Sequence, residues 1–307
     1  MGTARLFLTQ GMAIVSLFAL VACGRPPEAD QTTALPENYV QQVQAWRDKH
    51  ETDYRRDYVT IAGLHFLDPG THSIGSAPGN DIVLEATVPV TIGRLTVAED
   101  RVLFDAAPGI ALTQKGQPVS GSFVLKESGK APSDPIAIGS VSLAIHATGG
   151  RLALRVRDPD GAPARAFAGF SWFPIDPANR AIGRFIRDAA PTKLPVMNTF
   201  NGVDTYETEG IVEFELHGET LRLRPFTTRP KRFYFVFRDA SSGVETYEAA
   251  RFLYADLQDD GRVVLDFNEA YNPPCAFNEY TTCPIPLKEN VLPIKVLAGE
   301  KAYAKSQ

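Results

Sequence analysis

A chain of 307 residues that is 44% hydrophobic and 22% charged is long and apolar enough to bury a sizeable core. Its net charge of −5, a pI near 5.6 and the lack of any Lys/Arg cluster argue against nucleic acid as a partner. Three cysteines, Cys23, Cys275 and Cys283, leave an even pair if the first is modified.

Taken in order, residues 1–22 read as a lipoprotein signal peptide. Arg5 lies in a short n-region, an apolar run from Gly11 to Ala22 follows, and Leu20-Val21-Ala22-Cys23 forms a lipobox. That run is too short for a permanent membrane span. The expectation is an acylated, palmitate-type Cys23 that anchors the chain to a membrane. Gly24 after it suggests, by the sorting habit of such lipoproteins, the periplasmic face of the outer membrane in a Gram-negative envelope. Residues 23–37 are polar and proline-containing and suit a flexible tether. The globular part then covers 38–307, as one β-rich domain with two possible subdomains, 38–165 and 166–307.

Asn38 to Tyr58 is expected to be helical, because Tyr39, Val43, Trp46, His50 and Tyr54 recur at steps of three and four with charged residues between them. Two apolar runs then flank Asp68-Pro69-Gly70, and Pro78-Gly79-Asn80-Asp81 makes a second turn before Ile82-Val83-Leu84. This stretch resembles the opening of a forkhead-associated domain. Ser76 stands where that family carries an arginine, and Thr91-Ile92-Gly93-Arg94 replaces its Ser-Arg-x-His, so the resemblance implies a strand-turn pattern without phosphopeptide binding.

Further strands are expected at Arg94–Val97, Val102–Phe104, Ser122–Leu125, Ile136–His146 and Arg151–Val156. Phe170-Ser171-Trp172-Phe173-Pro174 forms an aromatic corner before Arg180–Asp188. Val212, Phe214 and Leu216, the His217-Gly218 turn, and Leu221, Leu223 and Pro225 describe a hairpin. Phe233, Phe235 and Phe237 alternate with Tyr234, Val236 and Arg238, and strands follow at 244–254 and 263–267. The fold class is therefore all-β, a mainly antiparallel sandwich or barrel-like fold with one N-terminal amphipathic helix.

The last strand leads into Asp266–Pro286, too apolar for a linker and too rich in proline for a helix or central strand. It is expected to be an ordered, partly buried loop, the kind of segment that carries function. Cys275 and Cys283 within it suit a disulfide; a zinc site lacks the usual spacing, and a catalytic thiol lacks a nearby histidine. The blocks Gly243–Tyr247, Arg251-Phe252-Leu253, Ala270–Phe277, Thr282-Cys283-Pro284, Asn290–Pro293 and Ala298–Lys301 resemble the bacterial and archaeal domain-of-unknown-function family 1684. The Trp46 helix, Gly63-Leu64, Gly75-Ser76, Asn80–Leu84 and Trp172-Phe173-Pro174 are similar to its earlier blocks. The resemblance implies no activity, and it leaves room for a metal or thiol role of the cysteine pair beside the structural disulfide.

Were the loop to cover the end of the last strands, Arg238, Asp239, Tyr247, Arg251, Tyr254, Asp266, Asn268, Tyr271, Asn272 and the two cysteines would gather at one rim. The alternative is structural: Asp266 and Asn268 satisfy backbone groups of the turn, Arg251 pairs with Asp266, and the loop plugs the barrel end. Aromatic faces with Asn, Asp and Arg suit a small polar ligand. Two readings follow. One is an envelope protein that binds a small molecule or an envelope partner there; the other is a hydrolase working through a carboxylate, tyrosine or thiol at the same rim.

Overall fold

The computed structural model describes residues 1–2, 34–99, 101–127 and 131–304. Met1–Leu35 and Pro36–Gln307 are separate units, and the signal segment and Cys23 lie outside the described residues. Among the described residues, no helix is long and apolar enough to cross a membrane.

Within Pro36–Gln307 the α-helix runs from Tyr39 to Tyr54 and then widens into a π turn, Arg55–Val59, where the sequence period predicts a continuous helix to Tyr58. Tyr39 and Val43 are buried as expected, but so is Arg47, which the charge pattern places on the wet face. Its guanidinium donates to the carbonyls of Asn268, at 2.9 and 3.2 Å, and of Phe173, at 3.0 Å. These are loop carbonyls with no strand partner, and a buried acceptor without a donor costs more than burying a paired cation.

Two sheets then enclose the first core. One has six strands in the order Ile61–Phe66, Arg151–Arg157, Val141–Thr148, Ile136–Ile138, Leu112–Gln114 and Gln117–Val119; the other has five, in the order Ile82–Val83, Gly70–Gly75, Gly93–Val97, Arg101–Ala106 and Ser122–Glu127. Leu95, Phe104, Leu143, Leu154 and Val156 meet between them. The single strand expected over Ile136–His146 is two, because Gly139 takes φ +59° and reverses the chain. The alternation of Arg151–Arg157 sends Leu154 and Val156 into this core, so Arg155 and Arg157 project from the opposite face.

The second core lies between four strands, in the order Glu219–Leu223, Val203–Leu216, Arg180–Met197 and Arg262–Asp266, and three, Phe226–Arg229, Arg232–Phe237 and Arg251–Asp256. The expected hairpin is present: Val212 pairs with Leu223 and Phe214 with Leu221, across a turn with His217 and Gly218 at φ 52° and 82°. The 18-residue strand Arg180–Met197 runs well past Asp188 despite two prolines, with its register shifting between Arg187 and Thr192. Residues 244–250 are not strand; Ser241 O accepts from the amides of Val244, Glu245 and Thr246, making a tight turn before Arg251. Phe233, Phe235 and Phe237 fill the core between these two sheets, while Tyr234 and Val236 face a third cluster with Phe226, Phe252, Tyr271 and Cys283.

Residues 267–302 close the molecule with short 3-10 turns instead of strands. Glu300 N donates to Ala270 O, Lys301 N to Ser171 O and Phe173 N to Gly299 O, each at 2.8 Å. Gly299 sits at φ +73°, and a Cβ there would lie 2.1 Å from Ala270 O, so no larger residue fits. Arg251, fully buried, pairs with Asp239 at 2.8 Å and also donates to the carbonyls of Val296 and Ala298. Arg251→Leu should lower the urea-unfolding free energy by about 3–5 kcal/mol, because it strands the Asp239 carboxylate and two tail carbonyls.

Candidate functional site

The residues expected at one rim are distributed among separate structural bonds. Asp266 accepts from Tyr39 Oη at 2.8 and 3.0 Å and from the Asn268 amide at 3.1 Å. Asn268 Nδ2 donates to Tyr39 Oη at 2.9 Å and to Asp176 O at 2.8 Å. Asn272 is buried, its amide donating to Glu300 Oε2 and its Nδ2 to Lys301 O. Arg251 reaches Asp239 and the C-terminal tail rather than Asp266. Arg238 is exposed, with its backbone paired to Asn290 and Val291. Tyr247 and Tyr271 stand apart from this set: Tyr247 Oη donates to Cys275 O at 3.3 Å, and Tyr271 packs against Trp46, His50 and Tyr54.

Tyr271 belongs to a second arrangement that sequence reasoning missed. Tyr54, Tyr206, Leu194 and Cys275 pack on the third cluster and are half-buried. Tyr54 and Tyr58, brought 4.7 Å apart by the π turn, form one wall. Tyr234 and Tyr254, stacked at 4.7 Å on neighbouring strands, form another. Tyr206 comes from the strand Val203–Leu216, and Arg155 and His146 come from the outer face of the first sandwich. Arg155 acts on Tyr58 and on His146, Tyr254 on Tyr206, and Cys283 on Tyr54, Tyr58, Tyr206 and Tyr234, so these groups lie near one another in one cluster.

The electrostatics of this cluster are unbalanced. Arg155 Nε is buried, with no hydrogen-bond partner among the described residues. Burial first, then the neighbouring Arg157, pull its guanidinium down to about 10, while Tyr58 and Cys283 oppose. The carboxylates acting on its neighbours are committed elsewhere: Asp204 accepts from the amides of Gly149 and Asn198 at 2.7 and 2.8 Å, and Asp57 binds Arg56 at 2.7 Å. His146 Nε2 lies 3.3 Å from Thr282 Oγ1. Burial drives the Tyr54, Tyr234 and Tyr271 hydroxyls well above the usual phenol range, so they stay protonated and can donate.

Such a set of side chains can hold an anion with an apolar body. Arginine offers a planar fork of donors, and tyrosines offer apolar faces with polar tips. The sequence signal for it was faint: Arg155 and Arg157 read as the wet face of an exposed sheet, and the tyrosines are scattered from 54 to 271. Among the described residues, no group of three or more His, Cys, Asp or Glu could hold a metal ion.

Residues 165–301 match the model of a family described as protein of unknown function (DUF1684). Over this segment the chain is similar to that family. The matched segment supplies Tyr206, Tyr234 and Tyr254, whereas Tyr54, Tyr58, His146 and Arg155 precede it. The solution NMR structure of an uncharacterized protein from Haloarcula marismortui is 29% identical, covering 47% of this chain and 82% of that one, with a TM-score of 0.39. No curated protein matches.

His50 and His146 are both held down at about 4, first by burial; Asp53 opposes at His50, and Arg155 adds to the effect at His146. The unfolded imidazole takes its proton near 6.5, so both cost stability as pH falls from there towards 4. Burial raises Glu269 to about 7 and Glu300 to about 8, from an ordinary value of 4.5. These carboxyls keep protons in the fold that the unfolded chain releases, so they cost stability as pH rises from 4.5 towards 8. From these four groups the two slopes cancel between roughly 4.5 and 6.5, with a decline on each side of about 1.4 kcal/mol per pH unit per proton at the steepest. Unfolding free energies measured from pH 4 to 8.5 should show that plateau, and Glu300→Gln should flatten the alkaline limb.

Proposed function

We propose that this protein binds a small organic anion, a carboxylate or phosphate carrying an apolar or aromatic body, where Arg155 meets the tyrosines. The observation that carries the reading is Arg155 itself. Buried cations are ordinarily paired, because an uncompensated one costs several kcal/mol. Here a guanidinium with a buried, unpartnered Nε faces tyrosine rings and a neutral imidazole instead of a carboxylate. An anionic ligand supplies the missing charge, the hydroxyls of Tyr58 and Tyr254 supply orientation, and the ring faces supply area.

The lipobox supports an accompanying address, a chain tethered through acylated Cys23 to the envelope and facing the periplasm. A tethered binding protein at that address would meet small anions diffusing through the compartment.

The test uses aromatic carboxylates and phenyl phosphate as probes, with binding read by calorimetry. Arg155→Met should weaken binding of the probe that binds best by at least about tenfold, or 1.4 kcal/mol. The same change should leave the thermal midpoint unchanged or raise it, because it removes an uncompensated charge without opening a cavity. Equal affinity in wild type and Arg155→Met would sink the reading, as would a large fall in midpoint, which would mark Arg155 as a structural donor.

A further inference from the structure

A second feature lies on the other side of the C-terminal loop. Cys275 borders a surface pocket of about 560 Å³ lined by Phe167, Phe277, Tyr303, Glu85 and Glu279 among others. Its three rings pack on one another at 5.2 to 5.8 Å. Cys283 is buried directly behind it, with 2% of its surface exposed. The two are free thiols in hydrogen-bond contact, and the Cys275 amide donates to Cys283 Sγ at 3.4 Å. Tyr247 Oη lies 3.9 Å from Cys275 Sγ. Cys283 is held from behind, its amide donating to Thr199 Oγ1 at 3.1 Å and its carbonyl accepting from Thr199 N at 3.0 Å.

We infer that Cys275 and Cys283 form a thiol–disulfide exchange site, with Cys275 the attacking thiol and Cys283 the resolving one, and that its substrate is a low-mass disulfide without negative charge. The asymmetry is that of a reactive pair. Hydrogen bonds from Cys283 and Tyr247 hold the Cys275 thiol below its usual range against the opposing effect of burial, while burial pushes Cys283 well above it. The pocket has the volume of a small-molecule site, and the carboxylates of Glu85 and Glu279 on its wall disfavour anions.

The chemistry balances within the site. Cys275 loses its proton, and its thiolate attacks one sulfur of R–S–S–R, forming Cys275–S–S–R and expelling RS⁻, which takes up that proton. Cys283 then loses its proton and attacks Cys275 Sγ, forming the Cys275–Cys283 disulfide and expelling the second RS⁻, which is protonated in turn. Two protein thiols are oxidised, and one substrate disulfide is reduced to two thiols.

Cystamine, a small dicationic disulfide, is the probe, used on the reduced full-length chain carrying Cys23→Ser so that only the pair can react. The protein should become two hydrogens lighter without retaining an adduct. Cys283→Ser should stop at one cystamine-derived adduct mapped to Cys275, and Cys275→Ser should react at least about tenfold more slowly. Circular dichroism checks that each variant is folded, and Cys283→Ala replaces the serine variant if buried serine unfolds it. The inference fails if neither folded Cys283 variant accumulates the Cys275 adduct, or if Cys275→Ser reacts as fast as Cys283→Ser. It fails equally if the isolated wild type carries a Cys275–Cys283 bridge that dithiothreitol opens only in denaturant, since that bridge would be a structural cross-link.

Discussion

The constraint on which this structure depends is the need to anchor a C-terminal segment that makes almost no strand to the rest of the molecule. Four buried asparagines meet it. Asn268 clasps Tyr39 and Asp176, Asn272 reaches Lys301, Asn278 donates to the carbonyls of Tyr58 and Ile61, and Asn290 donates to those of Arg224 and Val236. Each amide offers two donors and an acceptor at a fixed angle, so one side chain bridges two segments that neither helix nor sheet geometry could join. Arg47 and Arg251 extend the same device with guanidinium groups. The helix, the first sandwich and the three-stranded sheet are thereby held to one strap.

That strap also accounts for the two proposed sites. Because Asn278 ties the end of the π turn and the first strand to the loop, Tyr58 is carried towards Arg155 and the tyrosines of the segment similar to DUF1684. The same loop places Cys283 near those tyrosines and Cys275 beside the outer pocket. Both positions hold features unusual for a purely structural core: a guanidinium nitrogen buried without a partner among the described residues in one and an asymmetric thiol pair in the other. Natural proteins concentrate such unfavourable arrangements where they bind or react, because the favourable packing elsewhere offsets them.

Much of the fold was legible because period-two and 3.6-residue patterns report which face is buried. The helix stripe, the hairpin at His217-Gly218 and the ordered Pro/Cys loop follow from residues adjacent in sequence. The errors share a cause as well. By charge Arg47, Arg155 and Arg157 read as solvent-facing, yet Arg47 and Arg157 donate to segments far away in sequence and Arg155 lies by Tyr58 and Cys283. Residues 244–250 carry a strand-like composition and become a turn because Ser241 O captures three successive amides.

By itself, then, the sequence determined the β-rich class, the amphipathic helix, the His217-Gly218 hairpin and the resemblance to DUF1684, all consequences of local pattern. Only the tertiary structure decided what the rim residues bond. Asp266, Asn268, Arg251 and Asn272 have the composition of a binding rim, but composition does not say whether a donor faces a ligand or a backbone carbonyl. The tyrosine cluster draws Tyr54, Tyr58, His146, Arg155, Tyr206, Tyr234 and Tyr254 from distant parts of the chain. Their convergence is a property of sheet packing and loop anchoring, which no short-range spacing encodes.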